Sequence, residues 1–314
     1  MESAAGTSAA SDVPATGTDA GSASRGAGSR RGLRLGPYLG LLPFFLYVSI
    51  FLLLPMVIVG IGAFQNADGH FTMSNLDAVL SGPQFADAFI LSLKLSAITA
   101  LAGAIVGALL AWAVAQGNPN GLLRQTVVAA SGVLAQFGGV MLAFAFLATF
   151  GYSGWITQSL IHYFALDNLS ANTWIYGLLG LSLVYTYFQI PLMVIVFLPA
   201  VDGLRREWWD ASASLGGGSW AYWRHVGGPI LAPTFLGATL LLFTNAFSAY
   251  ATAAALISQG QPLVTLQIRW ALTSEMVLGQ ENIAKVLALG MVIIVSLIMV
   301  AYSLLQRRTA KWVR

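Results

Sequence analysis

No charged residue occurs between Arg34 and Asp68, and within that interval Tyr38 to Phe64 reads YLGLLPFFLYVSIFLLLPMVIVGIGAF. This run exceeds the roughly 20 apolar residues that a helix needs to cross the hydrocarbon core of a bilayer. Five more such runs follow, near 88–115, 126–150, 173–200, 230–257 and 283–305. A backbone in lipid must satisfy its own N–H and C=O groups, and runs of this length do so as helices. Composition agrees: 57% of residues are hydrophobic and 9% charged, with mean hydropathy +0.75, against about 25% charge in a soluble domain. The expectation is an all-α integral membrane protein of six transmembrane helices, with both termini on one side.

Residues 1–34 are rich in Ala, Gly, Ser and Thr and nearly free of large apolar side chains. Such a segment cannot offset its folding entropy and reads as a disordered tail. It is not a secretory signal peptide, because its basic residues come last and no apolar run precedes them. A second short tail is expected at 307–314.

The basic residues orient the chain. Arg25, Arg30, Arg31 and Arg34 precede the first span, Arg124 lies between the second and third, Arg205, Arg206 and Arg224 between the fourth and fifth, and Arg307, Arg308, Lys311 and Arg314 after the sixth. These segments alternate correctly for one face, which the positive-inside rule makes the cytoplasm. The remaining loops carry Asp68, Asp77, Asp87, Asp167, Glu275 and Glu281, with Arg269 as the basic exception. The localisation expected is a cell membrane, multi-pass, with both termini cytoplasmic. Small residues at helical spacing in the second span (Gly103, Gly107, Ala111) and in the third (Gly132, Gly138, Gly139) read as places of close helix packing, within the bundle or at a subunit interface. No internal repeat is evident.

Several chemistries are excluded. With no cysteine, thiolate metal sites and disulfides are absent. His70, His162 and His225 fall in three different loops, two on one side and one on the other, so they cannot share a metal. No carboxylate stands in the middle of a span, where a proton relay or a membrane-embedded hydrolase would need one. Lys94 lies in the second span about two turns from its end; it snorkels, pairs with Asp87, or touches a solute. No Gly-rich loop ending in Lys-Ser/Thr is present to cradle a nucleotide. Any nucleotide energy must come from another subunit.

The loop between the fourth and fifth spans, 203–229, is unlike the others. GLRREWWDASASL has helix-compatible composition and ends at Gly216, Gly217 and Gly218, where a positive φ stops a helix. Ser219 is then the expected N-cap of a second short helix, WAYWRHV, before Gly227, Gly228 and Pro229 lead into the fifth span. Trp208, Trp209, Trp220, Tyr222 and Trp223 suit the headgroup boundary.

This loop resembles the EAA motif of membrane subunits in binding-protein-dependent ABC importers. Asp210, Ala211 and Ser212 take the Glu-Ala-Ala places, Gly216 the glycine, Val226 the aliphatic place, and Gly228 with Pro229 the Leu-Pro. Asp for Glu, Ser for Ala and Gly for Leu are departures from the usual pattern. The resemblance extends over the five-span core, about 86–306, and the phrases YTYFQIPLMVIVFLPAVDGL and NAFSAYATAAAL are similar to the branch handling polyamines, ferric iron, thiamine or phosphonates. It implies a type I ABC importer permease fold with a cytoplasmic coupling helix, which Asp210, Ala211, Ser212, Leu215, Gly216, Val226 and Pro229 would form or position. It also implies ABC ATPase subunits that bind ATP and Mg, a second permease identical or homologous to this one, and an extracytoplasmic solute-binding protein. Besides these and the lipid membrane no partner is implied, nucleic acid included; this chain itself would bind no cofactor and catalyse no reaction.

A path for solute should be lined by polar residues inside spans. Tyr185, Tyr187 and Gln189 in the fourth span and Asn245, Ser248, Tyr250 and Thr252 in the fifth are the candidates, with Lys94. Hydrogen bonds between helices explain the same residues equally. Pro191 should kink the fourth span. The alternative function is a structural or assembly subunit without a path of its own.

Overall fold

The computed structural model describes residues 36–66, 68–164, 174–257, 262–273 and 280–309. The tail expected over 1–34, and residues 310–314 of the second tail, lie outside them. The chain divides into two compact units, Met1–Leu52 and Leu53–Arg314. In the first, helix α1 (Gly36–Val48) leads into a π turn, Ser49–Leu53, and Leu41, Phe44, Phe45 and Tyr47 are exposed. Such a surface is compatible with lipid rather than water.

The second unit contains α2 (Leu54–Gly62), α3 (Ser74–Ser81), α4 (Pro83–Ala115), α5 (Leu122–Gln136), α6 (Gly139–Phe150), α7 (Trp155–Phe164) and α8 (Leu178–Asp202). After them come α9 (Arg206–Ser214), α10 (Ser219–Tyr222), α11 (Gly228–Ser248), α12 (Ala251–Leu256), α13 (Val264–Thr273) and α14 (Gln280–Thr309). Among the described residues there is no strand, only an isolated bridge between Gln65 and Phe71. Six helical stretches are long and apolar enough to cross a membrane: Leu41–Gly62, Pro83–Ala115, Gly139–His162, Leu178–Asp202, Ser219–Ser248 and Glu281–Leu304.

The most buried of these is α8, and its main partner is α4. A Cβ on Gly103 would meet Gln189 Cβ at 2.7 Å, and one on Gly107 would meet Met193 Cβ at 2.5 Å. Both contacts advance by four residues on each helix, so α4 and α8 run parallel, as the second and fourth of alternating spans must. The close-packing expectation for Gly103, Gly107 and the buried Ala111 is met inside the bundle. In lipid no hydrophobic effect presses helices together, and this intimacy is what holds the pair.

The third and fifth spans depart from the uninterrupted helices expected at 126–150 and 230–257. The third divides at Phe137 and Gly138 into α5 and α6, with Gly139 at φ +67°. The two halves then pack differently, α5 on α8 and α6 on α12. Of the three glycines in this stretch, Gly132 and Gly138 have open space where a Cβ would stand, so the cluster makes a break and not a packing seam. The fifth divides at Ala249 and Tyr250 into α11 and α12. By contrast α8 continues unbroken through Pro191 and Pro199.

At the start of the fifth span the expected separate helix is absent. Ser219 is the first helical residue, not a side-chain cap, and Gly218 in extended backbone precedes it. The helix then passes through a π turn, Trp223–Gly227, straight into α11. The cause is Pro229: its ring would clash with the carbonyl four residues back. The wider turn, in which Gly228 N–H donates to the Trp223 carbonyl, lets the helix proceed.

Candidate coupling surface and transport path

Helix α9 stands between two spans yet belongs to neither. Arg205 in extended backbone precedes it, and Glu207 sits in its first turn, where a carboxylate favours the helix dipole. At the other end Gly217 N–H donates to the Ser212 carbonyl and Gly216 N–H to the Ala213 carbonyl, both at 2.9 Å, with Gly216 at φ +79°. These are the two bonds of a Schellman closure, and they require a left-handed residue at Gly216. Nothing lies within 4 Å of the place a Gly216 Cβ would occupy, so backbone conformation alone selects glycine there.

No side chain of α9 is fully buried. Asp210, Ala211 and Ala213 are exposed and Ser212 is half-buried, so these small groups form a free surface. Leu215 is 89% exposed and Trp220 77%. The tryptophans divide. Trp209 packs edge-on against Tyr222 at 4.9 Å, Tyr222 against Trp223 at 5.7 Å, and Trp223 against Trp112 of α4 at 6.3 Å, while Trp220 projects away. Trp208 lies under the Arg205 guanidinium at 5.9 Å. Val226 is half-buried within the π turn and Pro229 is exposed at the start of α11, so both belong to the span that the loop feeds and not to α9.

This end of the bundle also holds an ion pair between Arg124 of α5 and Asp202 at the end of α8. It is the only one among the described residues. Asp87 does not pair with Lys94, which is exposed on α4.

Toward the other end, the polar residues expected along the path separate into two groups. Tyr185 is buried, and its hydroxyl donates to the Ala249 carbonyl at 2.7 Å. Thr252 is buried, and its hydroxyl donates to the Gly139 carbonyl at 3.2 Å. Both acceptors lie at the helix breaks: Ala249 closes α11, where its carbonyl has no partner within the helix and the Tyr185 hydroxyl supplies one, and Gly139 opens α6, where the Thr252 hydroxyl ties α12 to it. Gln189, wholly buried, donates through Nε2 to Thr99 Oγ1 at 3.1 Å, and its Oε1 has no partner. These three fasten helices to one another. Tyr187, Asn245, Ser248 and Tyr250 remain exposed. Tyr187 packs edge-on against Phe146 at 5.4 Å, and the Arg269 guanidinium lies 6.0 Å from the Tyr250 ring.

Tyr185→Phe should therefore lower stability by about 1–3 kcal/mol, the cost of an unmet buried acceptor. A depressed unfolding midpoint in detergent measures it, and an unchanged midpoint would show that the Ala249 carbonyl finds another donor.

Lys285, in α14, is a second lysine within a span that the apolar pattern obscures. Its stem lies where a Gly62 Cβ would come within 2.6 Å of Cδ, and its Nζ donates to Asn282 Oδ1 at 2.8 Å. The pair Asn282 and Lys285, three residues apart on one helix face, is the signal by which it could be found.

No family model matches the chain. Over 97 residues, 30% of this chain and 17% of the relative, it is 29% identical to the thiamine transport system permease protein ThiP of Brucella suis biovar 1 (strain 1330). Over 113 residues, 36% of this chain and 20% of the relative, it is 27% identical to the protein of the same name from Escherichia coli (strain K12). The matched stretch thus spans no more than 20% of either relative. Two solved structures overlap far more of it. One is the crystal structure of a bacterial ABC transporter involved in the import of the acidic polysaccharide alginate, with TM-score 0.71 and 18% identity, covering 87% of this chain and 95% of that one. The other is the bacterial alginate ABC transporter in complex with alginate pentasaccharide-bound periplasmic protein, with TM-score 0.70, 19% identity and coverage of 87% and 94%. So extensive an overlap decides the architecture: this chain has the fold of ABC importer permeases.

Proposed function

We propose that the chain is the permease subunit of an ABC importer, forming with a second permease the path for a small solute that an extracytoplasmic binding protein delivers. A separate ATPase, which binds ATP and Mg, supplies the energy. The observation that carries this reading is α9: a short helix outside the bundle, closed at Gly216, presenting Asp210, Ala211 and Ser212 on an open surface. Small side chains let another chain's backbone come close, and Asp210 offers a carboxylate to a basic partner. Leu215, almost fully exposed, adds the apolar contact such a surface needs. Val226 and Pro229 act by position, setting the π turn through which α9 joins the fifth span. The end bearing Arg124, Arg205, Arg206 and Arg224 faces the cytoplasm on this reading.

The solute path runs past the exposed Tyr187, Asn245, Ser248 and Tyr250, with Lys94 at its outer rim, whereas Tyr185, Gln189 and Thr252 shape it from behind. Among polyamines, ferric iron, thiamine and phosphonate-like solutes, the names of two relatives favour thiamine. Exposed tyrosine rings suit it, since they stack on a heteroaromatic solute and attract a cationic one. Uptake of labelled thiamine by the reconstituted importer supports this, and uptake of a polyamine with none of thiamine rejects it.

Gly216→Val tests the coupling role. A β-branched residue at φ +79° is strained, by about 1–2 kcal/mol or more, yet it meets no neighbour, so the bundle should still fold and insert. ATPase association or uptake should fall about tenfold. Unchanged uptake, or a stable native complex that contains no ATPase, would favour a structural subunit instead.

A further inference from the structure

The basic end holds two adjoining cavities. The first is a cleft of about 890 Å³ beneath α9, lined by Arg124, Arg205 and Arg206 together with Asp202. Arg124 is already paired with Asp202, which leaves Arg205 and Arg206 in excess. The second is a groove of about 550 Å³ between α4, α8 and α11, lined by apolar side chains such as Ile105, Leu109 and Phe235. The two share Trp112, Val201 and Trp223. Ile105 and Leu109 are 47% and 60% exposed, so the groove is open toward lipid.

We infer that the pair of cavities binds one anionic phospholipid, its phosphate headgroup in the cleft and an acyl chain in the groove. Guanidinium groups recognise a phosphate bidentately, and a zwitterionic headgroup brings its own cation against the same arginines. From Ile105 to Trp112 the groove follows about 10 Å of α4 at the helical rise, roughly two thirds of the ~15 Å depth of one leaflet. Trp112 and Trp223 stand where the two cavities meet, the level at which tryptophan settles in a membrane. A free phosphate would use the cleft alone; only an amphiphile uses both. The bound headgroup would tie Arg205 and Arg206, at the root of α9, to the ends of α4 and α8.

Native mass spectrometry of the full chain in micelles mixing phosphatidylglycerol and phosphatidylcholine tests this. The wild type should retain one phosphatidylglycerol with a preference of about 25-fold, fivefold for each unpaired arginine. Arg205→Gln with Arg206→Gln should bring the preference to about twofold or less. Ala232→Trp, which fills the groove, should release the lipid. Equal retention of both lipids by the wild type overturns the proposal without recourse to any variant. So does displacement of the lipid by millimolar inorganic phosphate, which would make the cleft a phosphate site. So does a disulfide-linked dimer of Ala232→Cys in a chain otherwise free of cysteine, which would place a second copy over the groove.

Discussion

Gly107→Leu should yield no folded bundle. A Cβ at Gly107 would stand 2.5 Å from Met193 Cβ and 2.8 Å from the Ile190 carbonyl. One of these is backbone, so no rotamer change relieves the clash. The α4 and α8 axes would have to separate along the main helix contact among the described residues, and the Gln189 to Thr99 hydrogen bond one turn away would open with them. Ordinary overpacking costs about 1–3 kcal/mol, and here the displaced element is the most buried helix. A monodisperse peak on size exclusion after detergent extraction should vanish for Gly107→Leu and persist for Gly132→Leu, since a Cβ at Gly132 meets nothing within 4 Å. Survival of the Gly107→Leu peak would show that α4 and α8 do not need their present distance.

That contrast marks how far the sequence could be read. Gly103, Gly107 and Ala111 lie at spacing four and bury one face, so their packing role is legible. Gly132, Gly138 and Gly139 read alike as small residues, but Gly138 and Gly139 are adjacent in an apolar run and end α5. The break at Ala249 and Tyr250 carries no glycine or proline; its open Ala249 carbonyl is met by the Tyr185 hydroxyl from 64 residues away, while the Thr252 hydroxyl beside it ties α12 to Gly139 at the facing break. A tertiary cause of that kind leaves no local trace. The turn after α9 was readable because positive φ has a glycine signature. The end of the following helix was not, because a π turn absorbs Pro229 where the dipeptide Gly-Pro suggests a stop.

The polar residues of the fourth span show the same limit from another side. Tyr185 and Gln189 are four apart and share the buried face of α8, whereas Tyr187 lies about 200° around the helix from Tyr185 at 100° per residue and is exposed. Periodicity alone separates the two groups. What it does not supply is which face meets protein, and only the Gly103 and Gly107 contacts decide that.

On the proposed permease role, Trp209→Ala should separate hydrolysis by the partner ATPase from transport. The route from α9 into the membrane is a row of rings: Trp209 to Tyr222 at 4.9 Å, Tyr222 to Trp223 at 5.7 Å, and Trp223 to Trp112 at 6.3 Å. Tyr222 and Trp223 belong to the helix that continues into α11, and Trp112 belongs to α4, so a push on α9 reaches two spans through Trp209. The backbone link from α9 toward α11 runs through Gly216, Gly217 and Gly218, which transmit force poorly. Because Asp210, Ala211 and Leu215 stay in place on the outer surface, the ATPase should still bind and turn over. Removing one edge-on ring pair forfeits about 0.5–1.5 kcal/mol beyond the buried area, and with that area lost as well, uptake per ATP hydrolysed should drop about tenfold. Trp209→Phe keeps a ring against Tyr222 and should restore most of it. Loss of ATPase binding in Trp209→Ala would instead make Trp209 part of the docking surface, and undiminished uptake would mean that force enters the bundle by another path.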